Sequence, residues 1–456
     1  VKRIFFMKKW LALSLVLVVA LGLVPQQPAP SQAQEQVEIS FVHIFGGDDD
    51  PRAAVVQGIA DQFMAANPNV TITIQSNTSD YSELFNSSIL AASQGNAPHI
   101  VQVEEGLTQI AVDSQLFLPI SDIASEEQLA QLEDYIPQVT SFFTVDGKLW
   151  GLPWNTSNPL LYYNKGYFEA AGLDPNDPPA TFDEILAACE QLMAAEIEAM
   201  TACMNFPLVT WFVEQWVAMQ GAVLADNENG RSGRATEILL DSPEVLRVVE
   251  WMKVMADSGY YQYTGTPNDY TGEGQAFIGG QTAMHINTTA GLFQFEQFAP
   301  MFGVDLGVAG LPIPGEDATN GVTVGGASLF ISAGYSEAET QAAVDFVFFL
   351  TNTENGALWH QGSGYFPNRQ STIDLLNEQN WFTEKPNFGI GLAQLQASQS
   401  NAATAGMVLG SAGPVRDVVV EALQSVVDAG ADPAEAMAAA KARADAIIAE
   451  YNSVYE

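Results

Sequence analysis

The chain reads as an α/β protein built of two lobes, and three observations support that. Its 456 residues are too many for one hydrophobic core and comfortable for two. Hydrophobic residues make up 47% and aromatics 10%, a composition of ordered globular chains rather than disordered ones. Beyond the N-terminus, strand and helix patterns alternate in the order that gives parallel pairing through crossover helices.

Residues 37–43, VEISFVH, alternate as a strand does. Asp48-Asp49-Asp50-Pro51 then offers an N-cap to a helix carrying Val55, Ile59 and Phe63 on its apolar face and ending near Asn67-Pro68. A second strand covers 70–74, a helix over 81–92 ends at Gln94-Gly95-Asn96, and 99–103 forms a third apolar strand. In such sheets ligands lie beyond the carboxyl ends of the strands. Tyr81 opens a helix and Glu105 follows a strand, so both hold that kind of position. Asp146-Gly147 marks a hairpin, and 149–154 begins a new unit. Helices follow over 182–195 and 243–257, then a strand over 304–312 closing at Pro-Ile-Pro and a Gly-rich strand over 321–331. The rest is helical, over 337–350, 415–427 and 433–451. No linker separates two independent beads, so the lobes are interleaved and the chain crosses between them more than once.

Charge narrows the function. Lys and Arg total 16 against 54 Asp and Glu. The first 33 residues hold four of those cations and no acid, which leaves 12 against 54 and a net charge of −42 beyond them. A general nucleic-acid binder needs a basic footprint to displace counterions, and this chain has none. Docking onto anionic lipid through a basic surface is disfavoured on the same ground.

Residues 10–24 are an unbroken run of apolar or small residues, preceded by Lys8-Lys9 and stopped by Pro25. With the small-residue exit Ser31-Gln32-Ala33 this reads as a secretory signal over 1–33, cut after Ala33; an uncleaved anchor helix is the alternative. Met7 before Lys8-Lys9 is the more ordinary start than Val1. No cysteine lies near the cleavage region, so no lipidated N-terminal cysteine is expected. The mature protein is expected to be soluble and outside the cytoplasmic membrane, in the periplasm or at the cell surface. Export admits a disulfide between Cys189 and Cys203, with two buried free thiols as the alternative.

A search for catalytic constellations finds none. The four histidines, His43, His99, His285 and His360, lack i,i+4 metal spacing, and no HExxH, GxSxG elbow or Walker A loop occurs. Gly362-Ser363-Gly364 reads as a loop, and Asp48–Asp50 lacks the EF-hand spacing and serves better as a helix cap. No enzyme activity, metal or cofactor is expected.

The segment Phe277-x-x-Gly280-x-x-Ala283-Met284 matches a pattern common among sugar-binding solute receptors. Longer stretches are more specific: Gly95-Asn-Ala-Pro-His-Ile-Val-Gln-Val, Asn155-Thr-Ser-Asn-Pro-Leu-Leu-Tyr-Tyr-Asn-Lys165, Gly325-Gly-Ala-Ser-Leu-Phe and Trp359-His-Gln-Gly-Ser-Gly-Tyr365-Phe-Pro. Across 37–451 the chain resembles the extracellular solute-binding proteins of ABC importers, family 1. It is more similar to the sn-glycerol-3-phosphate-binding members than to the maltose-binding ones.

That resemblance implies a two-lobed, type II periplasmic-binding-protein-like fold closing on its ligand about a hinge. It places 34–149 and 325–375 in a first lobe and 150–324 and 376–456 in a second. It implies a non-catalytic, monomeric receptor that captures sn-glycerol 3-phosphate or a glycerophosphodiester such as glycerophosphocholine and delivers it to membrane permease subunits. A sugar- or oligosaccharide-binding receptor is the alternative. Residue by residue, Tyr81 and Glu105 match first-lobe contacts, with Glu105 accepting hydrogen bonds from ligand hydroxyls. Ser157 matches a second-lobe contact, and Thr288 stands where the family usually has Ser. Gly326 matches a glycine whose amide faces the ligand, and Tyr365 and Arg416 match the phosphate-binding pair.

Those residue types suit the chemistry, since a guanidinium beside a phenol supplies charge-assisted donors to a phosphate. Arg416 follows Gly410-Ser-Ala-Gly-Pro at a helix start, where free N–H groups favour an anion too. Alone, Arg416 and Glu105 read as surface charges, and Tyr81 and Tyr365 as core; the matched surroundings reverse that reading. The family's tryptophans against the ligand correspond to 207–211, here Pro-Leu-Val-Thr-Trp. Trp211 serves there with a one-residue shift, or is core, and its second partner is absent. Arg416→Ala is expected to weaken phosphate ligands while sparing the fold.

Overall fold

Two β-sheets organise the chain. The computed structural model describes residues 36–46 and 50–455; the export signal, the choice of start and the Ala33 cleavage point lie outside the described residues, as do Asp48 and Asp49. In chain order the strands are β1 (Val37–Val42), β2 (Val70–Gln75), β3 (Ile100–Glu104), β4 (Phe117–Leu118), β5 (Thr144–Val145), β6 (Lys148–Leu149) and β7 (Gly151–Ser157). They continue as β8 (Pro159–Asn164), β9 (Ala202–Asn205), β10 (Tyr261–Gln262), β11 (Thr282–Thr288), β12 (Leu306–Gly310) and β13 (Gly325–Ser332). The first sheet runs β2-β1-β3-β13-β4, with β7 also paired to β13; the second runs β10-β9-β11-β8-β12.

The N-terminal alternation folds as its pattern dictates. β1 lies parallel to both β2 and β3, joined by the helices Pro51–Ala66 and Tyr81–Ser93. Asp50 caps the first helix, accepting the Arg52 N–H at 3.0 Å, and Val56, Ile59, Ala60 and Phe63 face the core. Asp80 caps the second, accepting the Glu83 N–H at 2.7 Å, which fixes Tyr81 as its first residue. Asp146 and Gly147 both take positive φ, 52° and 73°, in the β5–β6 hairpin, as a two-residue turn of this hand requires. Helices Phe182–Ala194, Pro243–Asp257, Glu337–Leu350, Ala412–Val427 and Pro433–Asn452 coincide with the periodic stretches in the sequence. Ser363 closes the helix Thr353–Ser363, with Gly364 as its left-handed cap, where the sequence reads as a loop.

One boundary shifts. The sequence starts a new unit at Leu149, but β7 is antiparallel to β13 in the first sheet, with Ser157 opposite Gly325. The chain passes to the second sheet at Asn158, between β7 and β8. Every residue of β7 and β8 is buried, so no alternation of polar and apolar residues marks which sheet each joins. Asn158 is held on both sides of the crossing: its Nδ2 donates to the Gly391 carbonyl at 3.0 Å and its own carbonyl accepts the Thr289 N–H at 2.9 Å.

Each sheet has an aromatic centre. Trp154 stacks on Trp359 at 4.8 Å beside Phe41 and Phe45, while Phe182 stacks on Trp251 at 4.0 Å beside Trp216. Cys189 and Cys203 form a disulfide across 14 positions, tying the helix Phe182–Ala194 to β9; a loop of that length contributes about 3 kcal/mol in the chain-entropy picture. No helix among the described residues is long and apolar enough to cross a membrane.

Burial also decides the charge state of histidines. His285 lies between Phe277 and Phe295, with Nδ1 at 2.9 Å from Asn205 Oδ1 and Nε2 at 3.0 Å from Asn287 Nδ2. Desolvation lowers its pKa to about 3. The ring stays neutral in the fold but takes up a proton in the unfolded chain, so this contribution is intact above pH 6.5 and lost as the pH falls below it. Between pH 7 and pH 5 the parent is expected to lose about 2 kcal/mol more stability than His285→Gln, read from urea unfolding at both pH values. Equal losses would mean that His285 titrates as it does in solution.

Candidate functional site

The C-terminal ends of β3 and β7 and the first residues of β13 come together with the helices Thr210–Met219 and Ala412–Val427. At the centre lies Arg416. Its Nε and Nη2 hold the Glu214 carboxylate in a two-pronged contact, 2.8 Å on each arm. Nη2 also donates to Glu105 at 3.1 Å, and Nη1 stands 3.8 Å from Glu104. Glu105 opens the short turn Glu105–Leu107 directly after β3, and its other oxygen accepts the Gly326 N–H at 3.1 Å. One guanidinium thus serves three carboxylates, and Glu105 is 3% exposed.

The glycines around this cluster have steric reasons. A side chain at Gly106 would occupy the place of the Arg416 guanidinium. Gly326 takes φ +97°, a backbone that L side chains rarely adopt, with the Asn155 carbonyl where its Cβ would be. The ring of Trp211 lies on the backbone of Gly325, and its indole N–H is buried without a partner among the described residues.

Burial and charge set the protonation. Desolvation, then the neighbouring Glu104, push Glu105 up to about 8, against the pull of Arg416. Burial raises Glu104 as well, with Glu214 and Asp80 adding to it and Arg416 opposing. Arg416 is held well above its ordinary value: burial works against the charge, but Glu214 and Glu105 outweigh it. The guanidinium is a permanent cation in a surplus of carboxylates. Burial also keeps the Tyr81 and Tyr270 phenols protonated, with Tyr365 and Glu104 reinforcing this at the two respectively.

The residues singled out from the sequence fall largely in one place. Glu105, Gly326 and Arg416 are linked by hydrogen bonds. Trp211 and Ser157 both meet Gly325, the first by packing and the second by strand register. Tyr81 accepts from Asn155 Nδ2 at 2.7 Å, and Tyr365 stacks on Trp359 at 5.7 Å beside Phe45. Thr288 stands apart at the end of β11, its hydroxyl accepting the Ala290 N–H at 2.9 Å as a helix cap. Two expectations change. Ser157 belongs to the first sheet, not the second, because β7 pairs with β13. Arg416 lies on the second turn of Ala412–Val427, so its side chain acts without the free N–H groups of a helix start.

Sequence reasoning missed Glu104, Gly106, Glu214 and Tyr270. Glu214 had a legible signal: it follows Trp211 by three positions, which puts both on one helix face. Among the described residues no group of three or more His, Cys, Asp or Glu is arranged to hold a metal ion.

Two sheets built from discontinuous strands, with polar and aromatic groups gathered where strand ends of the first sheet meet later helices, make an α/β architecture suited to holding a small solute. Residues 58–389 match the model of the bacterial extracellular solute-binding proteins, and the chain belongs to that family, whose members bind solutes rather than transform them. It is similar to the sn-glycerol-3-phosphate-binding periplasmic protein UgpB of Escherichia coli O1:K1, 28% identical over 425 residues, covering 92% of this chain and 94% of that protein. Its fold is that of UgpB from Mycobacterium tuberculosis, solved with glycerophosphocholine: TM-score 0.77 at 21% identity, covering 91% of this chain and 99% of that one. The sugar-binding protein MalE of Xanthomonas citri shares the fold too, with TM-score 0.74 at 19% identity, covering 92% and 99%.

The ion cluster revises the expectation that Arg416→Ala spares the fold. Removing the cation strands buried carboxylates, a loss of about 3–5 kcal/mol at pH 8. Glu105 binds its proton more tightly folded than unfolded, so protonation favours the fold at acid pH and that gain is lost as the pH rises towards about 8. Urea unfolding of Arg416→Ala is therefore expected to show a smaller loss at pH 5 than at pH 8; an equal loss at both would contradict the coupling.

Proposed function

We propose that this chain is the exported, extracytoplasmic receptor of an ABC importer that captures sn-glycerol 3-phosphate or a glycerophosphodiester and hands it to the permease. The observation that carries this is the likeness to glycerol-3-phosphate-binding relatives over 92% of the chain, joined to a guanidinium placed where strand ends of the first sheet meet helices from later in the chain. Arg416 and Tyr365 are the donors to the phosphate. Tyr81, Glu105, Ser157, Thr288 and the Gly326 amide take the glycerol hydroxyls, and Trp211 forms the wall. Each sheet is the core of a lobe, and the lobes turn about the strand crossings. In this division the first crossing lies at Asn158 rather than at 150: 34–158 and 325–375 make one lobe, 159–324 and 376–456 the other. The protein works as a monomer in the periplasm or at the cell surface, after removal of the signal over 1–33.

One observation favours the sugar reading. Three carboxylates share the single guanidinium, and carboxylates beside aromatic rings suit neutral hydroxyl-rich ligands. A phosphate also meets long-range repulsion from an acidic chain, though screening beyond about 8 Å leaves local contacts to decide affinity.

A thermal-shift screen separates the two. Ligands that bind the native form raise the melting temperature by mass action. We expect glycerol 3-phosphate and glycerophosphocholine to raise it by several degrees at millimolar concentration, with maltose and trehalose inert. A shift with a disaccharide alone would establish the sugar reading in place of the phosphoester one.

A further inference from the structure

Arg416 offers its two best donor positions, Nε and Nη2, to Glu214. A phosphate uses the same parallel fork. We propose that Glu214 is the affinity-setting residue of this site: its carboxylate occupies the anion position on Arg416, and an acidic ligand displaces it with uptake of a proton by the surrounding carboxylates. The inference rests on the phosphoester reading.

The charge count requires the proton. Glu104 and Glu105 face the guanidinium from the end of β3, and Glu214 faces it from the helix Thr210–Met219. Tyr270 of the helix Tyr270–Ile278 and Tyr81 of Tyr81–Ser93 face the same carboxylates as neutral phenols, and Asp80 adds a further negative charge near Glu104. Tyr365 faces Tyr81 and Tyr270, and Arg52, the other cation on this side, is already engaged by both oxygens of Asp50. An anion added here meets more negative than positive charge. Each unrelieved like-charge pair at about 4 Å weakens binding on the order of a thousandfold at an effective dielectric constant of 20. Neutralising a carboxylate removes that cost, and Glu105 already holds its proton more tightly than a solvated acid. A cavity of about 10 Å³, lined by Glu214, Asn229, Thr323 and Met407, adjoins the Glu214 carboxylate, room for about one water that would hydrate it once displaced.

The test is titration calorimetry of the mature chain with glycerophosphoglycerol, a diester with no group titrating between pH 5.5 and 8.5 and no cationic head. Buffers of different ionisation heat count the protons. We expect little proton uptake near pH 7, where Glu105 already holds its proton, rising towards one per ligand at pH 8.5, with affinity several-fold weaker at pH 8.5 than at pH 6. Glu214→Gln, checked for folding by its melting curve, is expected to bind at least tenfold tighter at pH 8.5 with a shallower pH dependence. Binding without proton uptake at pH 8.5 and with flat affinity overturns this inference and leaves the phosphoester reading standing. Unchanged or weaker binding by folded Glu214→Gln also overturns it. Absence of binding by both this diester and glycerol 3-phosphate at every pH overturns the phosphoester reading, and the inference with it.

Discussion

The arrangement of strand ends depends on one ionic constraint: a single guanidinium must neutralise carboxylates that burial would otherwise expel. Arg416 reaches Glu105 from a helix more than 300 positions later in the chain, at 3.1 Å, and Glu214 from a third segment. Such a cluster adds little net stability compared with an apolar core, but it penalises any arrangement that separates its members. It therefore specifies how the turn after β3, the helix Thr210–Met219 and the helix Ala412–Val427 sit together. The backbone is adapted to it. Gly106 leaves the volume that the guanidinium fills, and Gly326 turns its amide toward Glu105.

The second organising feature is the strand exchange. β7 and β13 pair with each other in the first sheet while their neighbours in sequence, β8 and β12, pair in the second. The two sheets are thereby built from discontinuous segments, and the connections between them run beside the candidate site. Both crossings adjoin the strand segment that carries Gly326, the backbone donor to Glu105, so the site and the exchange of strands share the same stretch of chain.

Legibility in the sequence followed periodicity. Helices with caps and one apolar face, such as Pro51–Ala66 and Pro243–Asp257, were readable because capping residues and spacing agree. The buried strands β7, β8 and β11 were not assignable to a sheet, since continuous burial erases alternation. At the site, Tyr81, Glu105, Gly326 and Arg416 could be named from their motif surroundings. What the linear sequence cannot express is that Arg416 is claimed by several acids at once: Glu214 lies some 200 positions away in a helix buried along its whole length. Its polarity, unusual in such a helix, was the available sign.

The disulfide carries a consequence for biogenesis. Cys189 and Cys203 are the chain's two cysteines, 14 positions apart, and both lie within one sheet and its covering helix. A chain with two cysteines has one intramolecular pairing, so oxidation needs no later reshuffling. Both cysteines precede β11, β12 and β13 in the chain, so the bond can form before those strands are in place. Closing this bond thus calls for an oxidant but not for an isomerase, and the covalent link stays within the second sheet and its helix, crossing to no strand of the first.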